Sequence, residues 1–166
     1  GAMSNGKIAN FASLIEYISE IEEVKRIRFT TSHPNEMNDH LIDCFGNIKK
    51  LANHLHLPIQ SGSDKVLMAM KRNYTTLEYK SIIKKLRRKL PNISLTTDII
   101  IGFPTETTND FDLTKKLFAE LEFDYSFSFI YSKRPGTPAA YLKDDTIDEI
   151  KLERLHEIQS LNIKQG

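Results

Sequence analysis

Three short runs of residues carry chemistry. Gln60-Ser61-Gly62-Ser63-Asp64 offers an amide and side-chain oxygens around a glycine that lets the backbone approach a ligand. It leads into a helix start, where free N–H groups favour an anion or a carboxylate. A helix cap by Ser63 or Asp64 accounts equally for the same residues. Gly102-Phe103-Pro104-Thr105-Glu106 sets a glycine where a flat ligand such as a purine can lie close, with Glu106 as an acceptor for a ribose or an amine. Its alternative is a strand-to-helix turn, with Glu106 placed for the helix dipole. Arg134-Pro135-Gly136-Thr137-Pro138 holds a guanidinium in a rigid loop, suited to a phosphate.

Single residues add to these. Asp98 lies inside an apolar run, so its carboxylate needs a partner or faces a site, and the site is the preferred reading. His54 and His56 share a strand face with no carboxylate at a metal-ligand spacing, so each is expected to be a hydrogen-bonded barrel histidine. Six basic residues between Lys80 and Lys89 share a helix with an apolar stripe and are expected on its solvated outer face.

The elements that position these groups repeat. RIRFTTSHP, HLHLPIQSGSD, TDIIIGFPTE and FSFIYSKRPGTPAA each pass from β-branched or aromatic residues into Ser, Thr, Gly, Pro and charge. That pattern marks the carboxyl ends of parallel strands lining a ligand site. Strands are expected at 26–30, 54–58, 94–101 and 125–131. Helices are expected at about 10–23, 39–48, 65–71, 75–90, 109–121 and 148–164. Thr75 with Glu78, and Thr146 with Glu149, have the spacing of capping boxes. Ile99, Ile100 and Ile101 form a continuous apolar run, as in strands covered on both faces. The fold class is α/β: a partial βα barrel of four or so parallel strands with outer helices. Its open edge calls for a covering partner.

Composition agrees with one domain. The chain has 166 residues, 40% of them apolar, and a net charge of +1, which by itself names no nucleic-acid partner. No run is long enough to span a membrane. Gly1-Ala2-Met3 reads as a cloning scar, with residues 1–5 outside the domain. Cys44 is the single cysteine, which fits a reducing, cytoplasmic location and cannot alone hold zinc or an iron–sulfur cluster.

Taken in order and spacing, RIRFTTSHP, HLHLPIQSGSDKVLMAMKR, TDIIIGFP and FSFIY with RPGTPAA resemble the radical-SAM methylthiotransferases, most closely the tRNA-modifying branch. The resemblance covers residues 6–166. It implies the second half of a radical-SAM, TIM-like barrel, and a full-length transferase that puts a methylthio group on carbon 2 of a prenylated adenosine beside the anticodon. It further implies S-adenosylmethionine and two 4Fe-4S clusters, one on a CxxxCxxC motif, with an amino-terminal domain and a TRAM domain as companions. A ribosomal protein or a threonylcarbamoyl-adenosine is the substrate of the neighbouring branches. A barrel half that binds RNA or a partner without chemistry is the reading outside enzymology.

CxxxCxxC is absent, so the chain alone is expected to be inactive, with no catalytic residue and no metal ligand of its own. By the resemblance, Gln60, Ser61, Ser63, Arg72, Asp98, Gly102, Glu106, Phe129 and Tyr131 serve the cofactor, Arg72 pairing with its carboxylate and Phe129 and Tyr131 lying by its adenine or by the substrate base. Arg134 and Thr137 face RNA. Thr105 replaces the family's usual glycine, which disfavours a positive φ there. Lys133 replaces a proline and adds a phosphate contact.

Overall fold

The computed structural model describes residues 3–4, 7–8 and 10–165. A two-residue antiparallel ribbon, β1 (Met3–Ser4) with β2 (Lys7–Ile8), precedes the main body. The expected scar falls mostly outside the described residues.

The main sheet is parallel, in the order β3 (His54–His56), β4 (Ser94–Ile101), β5 (Tyr125–Ile130). Each connection carries helices: α3 (Asp64–Ala69) and α4 (Thr76–Lys89) follow β3, α5 (Thr108–Leu121) follows β4, and α6 (Asp148–Gln165) follows β5. Upstream lie α1 (Phe11–Ser19) and α2 (Asp39–Asn47).

The fourth strand expected at 26–30 is not formed. Ile27 makes one parallel bridge, to Leu51, donating its N–H to Lys50 O and accepting from Ala52 N–H at its carbonyl, both at 2.8 Å. The chain thus joins the sheet only at the approach to β3. Ile27 and Phe29 still pack on the core, which is why the segment is apolar.

Alternation on β4 divides the molecule. Leu95, Thr97, Ile99 and Ile101 are buried against the helices; Ser94, Thr96, Asp98 and Ile100 face the other side, half-covered. The triple isoleucine therefore does not mark a strand covered on both faces within this chain. The helix side supplies the core, with Tyr79, Ile83 and Leu86 of α4 and Phe111, Leu117 and Phe118 of α5 over the sheet. Burying each such side chain contributes about 1.5–3 kcal/mol. Tyr79 donates its hydroxyl to Leu57 O at 2.6 Å, and Thr97 gives its hydroxyl to the same carbonyl at 2.8 Å.

The Thr75–Glu78 capping box is present. The Thr146–Glu149 box is not: Thr146 N–H is taken by Asp144 Oδ1 at 3.2 Å. On α6, Ile150 is exposed, and the inward face is built from Lys151, Arg154 and Ile158. The basic face of α4 points outward, with Lys80, Lys85 and Lys89 paired to Glu120, Asp39 and Asp43.

Candidate functional site

A cavity of about 760 Å³ opens beyond the carboxyl ends of β4 and β5. Gln60, Arg72, Phe129, Tyr131, Arg134 and Thr137 line it, with Ile100 and Phe103. Six of the eleven residues assigned from sequence thus meet in one place. The chain bends sharply there. Gln60 and Lys71, both in the lining, adopt left-handed φ values of 71° and 63°. Non-glycine residues held so are strained and gather at ligand sites. Gln60 is held by parallel pairing that continues past β3: its N–H goes to Asp98 O at 2.8 Å, and its carbonyl takes Ile100 N–H at 2.9 Å.

With Lys71 and Arg134, Arg72 is one of three cationic residues in the lining. One terminal nitrogen donates to Ser32 O at 2.9 Å, and the guanidinium lies over the Tyr74 ring at 5.8 Å. Its Nε is buried with no hydrogen-bond partner. A buried N–H left unsatisfied calls for an acceptor, and a ligand carboxylate is a chemistry that would supply one. Phe103 and Tyr131 meet edge to face at 4.9 Å and give the cavity an aromatic side.

Five assigned residues turn away from the cavity or lie outside its lining. Ser61 and Ser63 are buried under α5: Ser61 Oγ takes Ser63 N–H at 3.1 Å, and Ser63 caps α3 while donating to Asp110 at 2.8 Å. The cap reading holds for this run. Gly62 serves packing, since a Cβ there would lie 2.5 Å from Thr114 Cα. Gly102, at φ 73°, is outside the lining; a Cβ would meet Lys151 Cδ at 2.9 Å, so α6 occupies the space expected for a purine. Glu106 is buried, accepting from Gly102 N–H at 3.0 Å and Arg154 at 3.1 Å. Burial pushes its carboxyl above the usual range, against the downward pull of Gly102 and Arg154. Its other oxygen, Oε2, is buried without a hydrogen-bond partner. Thr137 reaches the lining, but its hydroxyl donates to Arg134 O at 2.7 Å and closes the loop on itself.

Asp98 lies outside the lining and is paired. His56 Nε2 approaches Asp98 Oδ1 at 3.2 Å, while His56 Nδ1 meets Thr96 Oγ1 at 2.7 Å. The partnered carboxylate, the less preferred reading of Asp98, and the hydrogen-bonded histidine expected at position 56 describe one cluster on the open face; His54 makes no such side-chain bond among the described residues.

Several structural groups went unread in the sequence. Lys65 ties the two loops, reaching Asp110 at 2.8 Å and Thr105 O at 3.1 Å. Lys151 pairs with Asp144 at 2.5 Å. Only the Thr107–Asp110 capping box had a local signal, its spacing. Thr105 takes a φ of 81° despite its branched side chain. Cys44 is buried between α1 and α2, with its thiol toward Ala12 O at 3.8 Å. Burial first, then the charges of Glu16 and Asp43, push that thiol up to about 11. Glu16, His40 and Cys44 each bring a ligating atom within 4.8 Å of the others, away from the cavity.

A part-barrel of parallel βα units, with a polar and aromatic cavity at the strand carboxyl ends, defines a class of ligand-binding α/β barrel proteins. The Radical SAM superfamily model matches residues 7–118, and the chain belongs to that superfamily. It is 60% identical over 163 residues to a tRNA-2-methylthio-N(6)-dimethylallyladenosine synthase of Methylobacillus flagellatus, covering 98% of this chain and 37% of the relative. The corresponding synthase of Burkholderia thailandensis is 59% identical over 162 residues, covering 96% and 35%. The chain thus spans little more than a third of these curated relatives. Among solved structures, coproporphyrinogen III oxidase from Escherichia coli, described as a radical SAM enzyme, aligns with a TM-score of 0.71 at 21% identity. That alignment covers 99% of this chain and 38% of the oxidase, and it shows the shared fold.

Proposed function

We propose that this chain forms the carboxyl-terminal part of the radical-SAM barrel in an enzyme that methylthiolates carbon 2 of a prenylated adenosine in tRNA. The cavity carries the reading: it gathers Gln60, Arg72, Phe129, Tyr131 and Arg134 at the strand ends, in a chain 60% identical to such a synthase. S-adenosylmethionine fits the donor set. Arg72, with its orphaned Nε, would hold the carboxylate, and Phe103 and Tyr131 the adenine. When bound, that cofactor supplies a deoxyadenosyl radical able to attack an unactivated C–H. The chain's own residues bind and orient: Gln60 offers an amide, the aromatic side excludes water, and the exposed Arg134 faces a phosphate backbone.

The two iron–sulfur clusters do not fit this chain, whose one cysteine is buried away from the cavity. Their ligands, an amino-terminal domain and a TRAM domain belong to the rest of the protein in this reading, and the chain alone is inactive. The open sheet face and the β5 edge would be covered by those other parts or by a second copy. No helix among the described residues is long and apolar enough to cross a membrane. Work on tRNA in the cytoplasm follows from the proposed activity itself. The test is the full-length protein expressed in cells lacking this modification, with tRNA nucleosides read by mass spectrometry. A methylthio product on prenylated adenosine supports the reading. A product on threonylcarbamoyl-adenosine, or none, overturns it.

A further inference from the structure

The open face of the sheet carries an ordered row whose inner members, Asp98 and Phe127, the cofactor cavity leaves unused. Parallel register sets Asp98 beside Phe127 and Ile100 beside Phe129. Ile100 and Phe129 line the cavity; Asp98 and Phe127 lie one side-chain repeat deeper, about 7 Å along the strands. Phe127 and Phe129 are 47% and 54% exposed, and His56 meets Phe127 edge to face at 5.8 Å.

The chemistry of the polar cluster fixes its direction. A carboxylate only accepts, so His56 Nε2 carries the proton it gives to Asp98. In the neutral ring Nδ1 then accepts from the Thr96 hydroxyl. Thr96 orients His56, and His56 orients Asp98. The other Asp98 oxygen has no partner among the described residues, and the side chain is one-third exposed on this face.

We propose that this relay reads the substrate base: the second Asp98 oxygen accepts the one N–H left on an N6-alkylated adenine, while Phe127 and Phe129 flank the alkyl group. The inference rests on the tRNA methylthiotransferase reading above. A carboxylate at this point favours an exocyclic N–H and repels the oxygen that guanine presents at its sixth position. Two aromatic rings beside it favour an apolar substituent over a bare or charged one. Asp98 is here a binding residue, and His56 is a positioning residue.

The full-length enzyme tests this, with an anticodon stem-loop carrying N6-dimethylallyl-adenosine as the probe. Asp98→Asn should raise the KM and Kd for this RNA about tenfold or more. Its iron content should match wild type, as the check that the variant folds and assembles its clusters. His56→Ala should act likewise, and His56→Gln, which keeps an N–H for Asp98, should restore part of the affinity. Phe127→Ala should shrink the preference for alkylated over plain adenosine. If Asp98→Asn matches wild type in both constants, the relay is overturned while the parent reading stands. Loss of S-adenosylmethionine cleavage in that variant would move Asp98 to the cofactor and overturn the relay too. A wild-type enzyme that neither binds nor modifies the stem-loop overturns both.

Discussion

Ser63 donates its hydroxyl to Asp110 Oδ1 at 2.8 Å, tying the loop after β3 to the first turn of α5. The contact joins positions 47 residues apart and links the loops that follow β3 and β4. Lys65 adds an ion pair to the same carboxylate at 2.8 Å.

This junction should govern acid stability. Burial pushes the Asp110 carboxyl up, but Lys65, the Thr107 N–H and hydroxyl, and Ser63 together outweigh it and hold it at about 2 against an ordinary 3.8. A lowered carboxylate pKa stabilises the fold above the unfolded value. That contribution, about 2 kcal/mol, is lost as the pH falls from about 4 to about 2. Urea titrations at stepped pH should show wild type losing this increment over that window. Asp110→Asn should lack it at neutral pH and show a flatter acid limb. Parallel acid limbs for the two proteins would place the charge coupling elsewhere.

Thr105 should be a site of easy stabilisation. A β-branched residue at φ 81° is strained, and its carbonyl is held by Lys65 at 3.1 Å. Thr105→Gly should relieve the strain and stabilise by about 1 kcal/mol, net of the entropy that glycine adds to the unfolded chain. A lower urea midpoint for the glycine variant would show the turn to be unstrained.

Gly102 should act on α6. Adding a Cβ at φ 73° costs about 1–2 kcal/mol and drives into Lys151, which Asp144 anchors at 2.5 Å. Gly102→Ala should lower the urea midpoint and speed proteolysis at α6. Lys151→Ala should destabilise alone, yet the double variant should be less harmed than the sum, because the clash has gone. Strict additivity would mean that Lys151 swings clear at no cost.

The strands and helices were largely legible because their signals are local. Ser94–Ile101 shows as one run rich in β-branched residues, and Thr75 with Glu78 marks the start of its helix at Thr76. The strand expected at 26–30 misled because its apolar residues pack on the core without a continuous ladder. The loop residues divided on contacts that no spacing reveals. Gly62 meets Thr114, Gly102 meets Lys151, and Glu106 meets Arg154 from distant helices. Residues at strand ends without such a helix partner, among them Gln60, Phe129 and Tyr131, kept the cavity role.

The chain by itself should bind no iron–sulfur cluster. One cysteine stands against the three thiolates a radical-SAM cluster requires, and burial keeps that thiol protonated near neutral pH. Anaerobic reconstitution should leave iron and sulfide far below one cluster per chain, and Cys44 should react with a thiol reagent only on unfolding. Stoichiometric cluster or rapid native labelling would contradict this.

Arg134 should tune RNA affinity. It is exposed at the cavity rim, in a loop closed by Thr137 N–H and hydroxyl on its carbonyl, at 3.2 and 2.7 Å. Its guanidinium has no carboxylate partner among the described residues, so the charge stays available. A cation that contacts one phosphate releases about one counterion on binding. In the full-length protein, Arg134→Ala should weaken tRNA uniformly across sequences and reduce the slope of log K against log salt by about one unit. Arg134→Lys should keep the slope while losing some affinity, because the point charge remains and the fork does not. Thr137→Ala, which opens the loop without removing charge, should weaken affinity with the slope intact. If Arg134→Ala leaves both affinity and slope untouched, the proline-rich loop only closes the cavity, and the phosphate contact must be sought elsewhere on the rim.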